Sequence, residues 1–246
     1  MRERLDKVLA HLGLGSRKEI ARLARAGMIA IDGQIIRDVS HKFDPSASRI
    51  EIDGEHVIYQ TYFHLLLNKP AGYVTSTKDH DGAPITELIP EEHYRDDWMP
   101  VGRLDKDTEG LLLLTTDGML AHRLTHPRWK VAKRYYAELE EPASQEDINA
   151  FAAGMELQDE KLQPAELEIC QDQRKVELVI REGRYHQVKR MFEARGNRVL
   201  YLKRVKFGPL ELGSLGTGEA KELSAAEALA LYTEVGLKAD IPDELN

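Results

Sequence analysis

The chain has 246 residues, 42% of them hydrophobic, and a formal net charge of -8, length enough for one large domain or two unequal ones. A single cysteine, Cys170, excludes an internal disulfide and a multi-cysteine zinc site, and suits a reducing compartment. No apolar run approaches the roughly 20 residues that span a bilayer and the N-terminus has no signal-peptide core, so the reading is cytoplasmic, with no membrane partner.

Leu5, Val8, Leu9 and Leu12 recur at helical spacing, and Ser16 with Glu19 forms a capping box that starts a second helix, ended by Gly27. On that second helix Arg17, Lys18, Arg22 and Arg25 fall on one face, while Ile20, Leu23 and Ala24 fall on the other. A hairpin follows around Asp32-Gly33, and Ile50 to Gly54 repeats the device with Asp53-Gly54. Tyr59 to Tyr62 is a short polar link.

Beyond the link, Phe63 to Leu67 predicts a strand, stopped by Asn68-Lys69-Pro70-Ala71-Gly72. Further strands are expected at Leu111 to Thr116, Tyr135 to Leu139, Leu167 to Ile169, Val176 to Ile180 and Val199 to Val205. Helices are expected near Leu120 to Leu124, His186 to Ala194 and Ala225 to Val235. This irregular order lacks a repeating strand-helix unit, so the fold class is α+β, with a mixed, mainly antiparallel sheet and flanking helices. The domains are read as 1-60, a two-helix plus hairpin unit; 61-235, the sheet-and-helix unit; and 236-246, an acidic tail.

Charge is segregated along the chain. Residues 181-206 carry nine basic side chains against two acidic ones, whereas residues 211-246 carry eight acidic against two basic. A basic surface can therefore coexist with an acidic chain, and a nucleic-acid partner is not excluded.

The densest motif is Val101-Gly102-Arg103-Leu104-Asp105-Lys106-Asp107-Thr108-Glu109-Gly110, which sets Asp105 beside an arginine at the mouth of an apolar strand. Asp105, Asp107, Glu109 and Gly110 imitate the start of a calcium loop, but Thr116 stands where the bidentate glutamate is required. His122 and His126 have zinc spacing, yet Arg123 replaces the glutamate base and Pro127 follows, so they read as surface or capping residues. No nucleotide-binding glycine pattern is present, and the expectation is no cofactor and no metal.

Residues 2 to 58 resemble the S4-type RNA-binding domain through Arg4-Leu5-Asp6-Lys7, Ser16-Arg17, Gly27 and Asp32-Gly33. That resemblance implies RNA binding through Arg17, Lys18, Arg22 and Arg25. Three further segments, Leu67 to Val74, the Asp105 loop and Glu182 to Met191, together with Lys133-Arg134-Tyr135, resemble the ribosomal small-subunit pseudouridine synthase A family. The resemblance implies isomerisation of a uridine in RNA, with Asp105, Tyr135 and Lys189 as catalytic residues. Tyr135 would stack on the extruded base, Lys189 would pair with Asp105, Val188 would pack under the uracil and Arg103 would hold the base out. Lys69, Arg184 and Arg190 are placed with the substrate-binding groups, the arginines as general phosphate contacts.

Retention of the N-terminal clamp, the length, the absence of a long basic C-terminal tail and Lys133-Arg134-Tyr135 point to a site in 16S rather than 23S ribosomal RNA. The partner would be ribosomal RNA, in a subunit assembly intermediate, met by a monomer. Two other classes are weighed. A non-catalytic RNA-binding protein would not need Asp105, Tyr135 and Lys189 intact, and a glycoside hydrolase would need a second carboxylate, for which Asp107 and Glu109 qualify only by proximity.

Overall fold

The computed structural model describes residues 1-76, 82-157 and 160-239. Most of the acidic tail expected at 236-246 lies outside the described residues. The described residues form two compact units, Met1–Tyr62 and Phe63–Ala239.

The first unit runs β1 (Glu3–Arg4), α1 (Leu5–His11), α2 (Arg17–Ala26), β2 (Ile29–Ile31), β3 (Gln34–Ile35), β4 (Lys42–Phe43), β5 (Ile50–Ile52) and β6 (Glu55–Val57). Local chemistry sets the start of α2: the Ser16 amide donates to Glu19 Oε2 at 2.8 Å, and the Glu19 amide donates back to Ser16 Oγ at 3.4 Å. Gly27 closes the helix in the left-handed region, φ 78°. Asp32 and Gly33 both have positive φ, 51° and 76°, as a two-residue hairpin turn requires. The hairpins join in one antiparallel sheet, order β3-β2-β5-β6. Leu5, Val8, Leu9, Ile20, Ala24, Ile29 and Ile50 form its core. The pairing of β1 with β4 was not expected, because two-residue strands leave no periodic signal.

The second unit contains β7 (His64–Lys69), β8 (Met99–Pro100), β9 (Glu109–Thr115), α3 (Gly118–Thr125), β10 (Lys133–Leu139), α4 (Gln145–Ala153), β11 (Glu156–Leu157), β12 (Glu160–Lys161), β13 (Glu166–Ile169), β14 (Lys175–Ile180), α5 (Gln187–Glu193), β15 (Val199–Phe207), β16 (Leu210–Glu211), β17 (Ala220–Glu222) and α6 (Ala225–Glu234). Its main sheet runs β13-β14-β10-β15-β9-β7-β17. Every pairing in it is antiparallel except β15 with β9, which confirms the mixed, mainly antiparallel α+β expectation.

Both faces of the sheet are covered. Leu65, Leu67, Leu112, Leu114 and Tyr135 face one cluster with Phe151 of α4 and Met191 and Phe192 of α5. Leu66, Leu111 and Leu113 face a second with Leu120 and Leu124 of α3 and Leu231 of α6. Burial on both sides explains why β9 reads as an unbroken run of leucines rather than as an alternation. At the parallel junction Gly110, φ 101°, faces β15 so closely that a β-carbon would lie 2.2 Å from the Arg204 carbonyl oxygen. Only glycine fits there.

Helix α4 was not foreseen. Its start is fixed by Ser144 and Asp147, whose Oδ2 accepts from the Ser144 amide at 2.9 Å while its Oδ1 accepts from Arg195 Nε at 2.7 Å. An aspartate replaces the usual glutamate of a capping box, and a nine-residue helix has a short apolar stripe, so the sequence signal is weak.

Between β7 and α6 a buried polar relay crosses the second cluster. His64 Nδ1 lies 2.8 Å from Thr115 Oγ1, the imidazole meets Tyr232 edge-on, and the Tyr232 hydroxyl donates to Asp117 Oδ2 at 2.8 Å. Burial pushes the His64 pKa down to about 4, against a smaller opposing pull from Asp117. The unfolded chain therefore takes up a proton at higher pH than the folded one, so stability is full above about 6.5 and falls as the pH drops toward 4. The loss is on the order of 3 kcal/mol. His64→Phe should flatten urea-unfolding stability against pH between 6.5 and 4; an unchanged slope would show that His64 is not the titrating group.

Candidate active site

The Asp105 loop, between β8 and β9, is gripped from below by polar groups of the segment after β7. Thr75 Oγ1 donates to the Leu104 carbonyl at 2.8 Å and accepts from the Leu104 amide at 3.0 Å. The Gly72 amide donates to the Lys106 carbonyl at 2.7 Å. Lys69 is fully buried, and its ammonium lies 2.8 to 3.3 Å from four carbonyl oxygens, those of Pro70, Asp105, Lys106 and Thr108. Burial lowers its pKa to about 8, and the charges of Asp107, Asp105 and Glu109 resist a further fall. Lys69, expected among the substrate contacts, is instead a positioning residue, because its charge is spent on the backbone of the loop.

Above this floor the Asp105 carboxylate stays 30% exposed. His186 Nε2 stands 3.4 Å from its Oδ1, and Lys189 Nζ stands 3.8 Å from its Oδ2. The closer partner of Lys189 is Asp107, whose Oδ1 and Oδ2 accept at 2.6 and 2.7 Å. Lys189 thus bridges two carboxylates instead of pairing with Asp105 alone. That hydrogen bond, with the Lys189 charge behind it, holds the Asp107 carboxyl below its usual range despite partial burial.

Helix α5 is anchored by a buried glutamine. Gln187 Oε1 accepts from the Arg184 amide at 2.9 Å and its Nε2 donates to Glu182 Oε1 at 3.0 Å, an oxygen that also accepts from the Gln163 amide at 2.8 Å. His186 precedes the helix in the left-handed region, φ 48°. This anchoring puts Val188 into the same apolar cluster as Tyr135 and Leu104, both from the Asp105 side of the sheet. The sequence offers Asp107 only as a calcium-loop or second-carboxylate candidate, and gives His186 no role of its own. Their position against Asp105 depends on a backbone conformation that no residue pattern announces.

Two more cations are buried beside the sheet. Lys133 donates to the Val131 carbonyl at 3.0 Å, and burial, aided by repulsion from Arg204 and opposed by Glu182, lowers its pKa to about 8. Arg204 Nε donates to the Leu111 carbonyl at 2.8 Å, and its guanidinium lies 5.1 Å from the centroid of the Phe207 ring.

Arg103 is exposed. Arg184 is exposed, with Nε 3.7 Å from Glu182, and Arg190 Nη1 lies 3.6 Å from Glu160. Arg17, Lys18, Arg22 and Arg25 are all exposed on α2. His126 Nδ1 accepts from the Arg128 amide at 3.1 Å, so this histidine caps a short turn. Among the described residues no group of three or more His, Cys, Asp or Glu side chains could hold a metal, and no helix is long and apolar enough to cross a membrane.

Asp105 is thus a partly exposed carboxylate bracketed by two basic side chains, and the first unit carries a basic helix face. An RNA pseudouridylate synthase family model matches residues 63-194, and an S4 domain model matches residues 3-48. The chain belongs to the RNA pseudouridylate synthase family, whose reaction is the isomerisation of uridine within RNA. It is 42% identical to the ribosomal small subunit pseudouridine synthase A of Yersinia pestis, over 91% of this chain and 96% of that one. It is 36% identical to the ribosomal large subunit pseudouridine synthase B of Bacillus subtilis, over 93% and 95%. A solved pseudouridylate synthase structure superposes with a TM-score of 0.65 at 35% identity, covering 93% of this chain and 99% of the other.

Lys69→Met should leave four carbonyl oxygens without their donor and lower stability by about 3 kcal/mol or more. Urea titration measures this, and a loss under about 1 kcal/mol would show that the loop does not depend on the ammonium. Lys189→Met should raise the Asp107 pKa back toward the ordinary carboxylate range, since the charged form loses its donor. A carboxyl NMR titration reads the shift, and no upward movement would mean that the pair is not formed in solution.

Proposed function

We propose that this chain is a cytoplasmic 16S ribosomal RNA pseudouridine synthase that acts on one uridine, met in a subunit assembly intermediate, with Asp105 as the catalytic carboxylate. One observation carries the reading: Asp105 keeps an open face while Lys69 holds its backbone, Thr75 holds that of Leu104 before it, and His186 and Lys189 stand at its flanks. A carboxylate in that setting keeps an open side beside two basic groups, as attack on a ribose or uracil carbon requires.

The target base must leave its stack to reach Asp105. Tyr135 offers it a ring and Val188 an apolar seat, both from the one cluster behind the loop. Exposed Arg103 is at hand to fill the gap left in the RNA. The reaction breaks the bond from N1 to the ribose and forms one from C5 to the same carbon. N1 ends with a proton and C5 loses one, so no atom enters or leaves overall. Exposed Arg17, Lys18, Arg22 and Arg25 on α2, with Arg184, supply phosphate contacts that set affinity without reading sequence.

The small-subunit reading is favoured by the 42% identity to the Yersinia pestis enzyme. The 36% identity to the Bacillus subtilis large-subunit enzyme supports 23S RNA as the second reading. Sequencing of pseudouridines in ribosomal RNA from cells with and without the protein separates them: a position lost from 16S RNA is expected, and one lost from 23S RNA would overturn the choice. Asp105→Asn should abolish turnover on the RNA so identified while keeping affinity within a few-fold. Measurable turnover by that variant would remove Asp105 from its role.

A further inference from the structure

The chemistry at Asp105 leaves Tyr185 without a task. Its side chain is 76% exposed, and its ring stacks on that of His186 with centroids 3.8 Å apart and planes inclined by 17°. One face of Tyr185 is therefore taken by the imidazole, and solvent has the other. The pair is held deliberately. His186 sits in a left-handed conformation that a β-carbon disfavours, and Arg190 Nη1 donates to the Tyr185 carbonyl at 3.3 Å while lying 3.6 Å from Glu160 Oε2. Glu160, Tyr185, His186 and Arg190 line an open depression of about 480 Å³. Through His186, 3.4 Å from Asp105, the depression adjoins the catalytic carboxylate.

We propose that this depression binds a second nucleobase: the nucleotide next to the target uridine, unpaired and swung out of its strand, stacks on the open face of Tyr185. The inference rests on the reading of Asp105 as the place where uridine is isomerised. An exposed flat ring backed by another ring is the arrangement on which unstacked bases settle, because every base presents a π face. Glu160, 46% exposed at the rim, is an acceptor, which suits the amino-bearing edges of adenine, cytosine and guanine better than the carbonyls of uracil. Arg190 ties the platform to α5, the helix that also carries Val188 and Lys189. The consequence is selection by structure: the enzyme prefers a uridine with an unpaired neighbour, in a loop or bulge, to one in continuous duplex.

The test uses the full-length protein and an RNA hairpin excised around the uridine that it modifies in ribosomal RNA. Each nucleotide flanking that uridine is replaced in turn by an abasic unit, and kcat/KM for pseudouridine formation is measured for wild type, Tyr185→Ala and Tyr185→Trp. One abasic position should cost the wild type about 5- to 150-fold, the range set by loss of one stacked base. Tyr185→Ala should cost the intact hairpin a similar factor and then lose little more on the abasic RNA, while Tyr185→Trp restores the rate. Equal abasic penalties in wild type and Tyr185→Ala at every position, or a wild-type rate for Tyr185→Ala on the intact hairpin, would overturn the second-base site and leave the reaction at Asp105 untouched. A wild-type protein that forms pseudouridine in no ribosomal RNA would instead overturn the reading on which the site rests, and the site with it.

Discussion

The backbone of the Asp105 loop gathers on one buried ammonium. Lys69 leaves the end of β7 and meets the carbonyls of Pro70, Asp105, Lys106 and Thr108, so a single charge draws the backbone before and after Asp105 toward one point. Carbonyl oxygens that turn inward to a cation cannot turn outward to water, and the carboxylate of Asp105 is left on the open side. Burying a charge is costly unless it is well partnered. Four carbonyls and three nearby carboxylates offset that cost here, and the lowered pKa of Lys69 is its residue.

The sheet makes this arrangement possible. Its one parallel junction, β15 against β9, brings the Asp105 end of β9 beside the long strand that carries Arg204, and Gly110 allows the approach. Because both faces of β7 and β9 are packed, by α4 and α5 on one side and α3 and α6 on the other, the loop between β8 and β9 starts from a rigid frame. Helix α5 docks on the same face as Tyr135 and carries Val188, Lys189 and, just before it, His186. Rigid support beneath a short exposed loop is the condition for holding a reactive group within a fraction of an ångström.

Positive charge is layered around Asp105. Lys69 lies beneath it, and His186 and Lys189 stand at its edge. Lys133 and Arg204 are buried in the sheet, and exposed arginines lie further out. The inner cations contact the carboxylates and backbone around Asp105, whereas Arg103 and Arg184 are exposed. An overall charge of -8 conceals this because most of the net negative charge falls in residues 211-246, which carry eight acidic side chains against two basic ones.

Strand and helix positions in both units were legible from periodicity, capping boxes and Asp-Gly turns, since those signals are local. The Asp105 loop, Tyr135 and the basic face of α2 were legible as motifs for the same reason. Short strands, the aspartate-capped α4 and the pairing of β9 with β15 were not, because they are stabilised by contacts between residues far apart in the chain. The sequence by itself determined which side chains are available and the elements that carry them. Only the tertiary structure decided that Lys69 serves the loop rather than the substrate, that Lys189 bridges Asp105 and Asp107, and that His186 faces the carboxylate. Each of those outcomes turns on distances of 2.6 to 3.8 Å between segments 36 to 84 residues apart, and such distances are fixed by packing, to which residue spacing is blind.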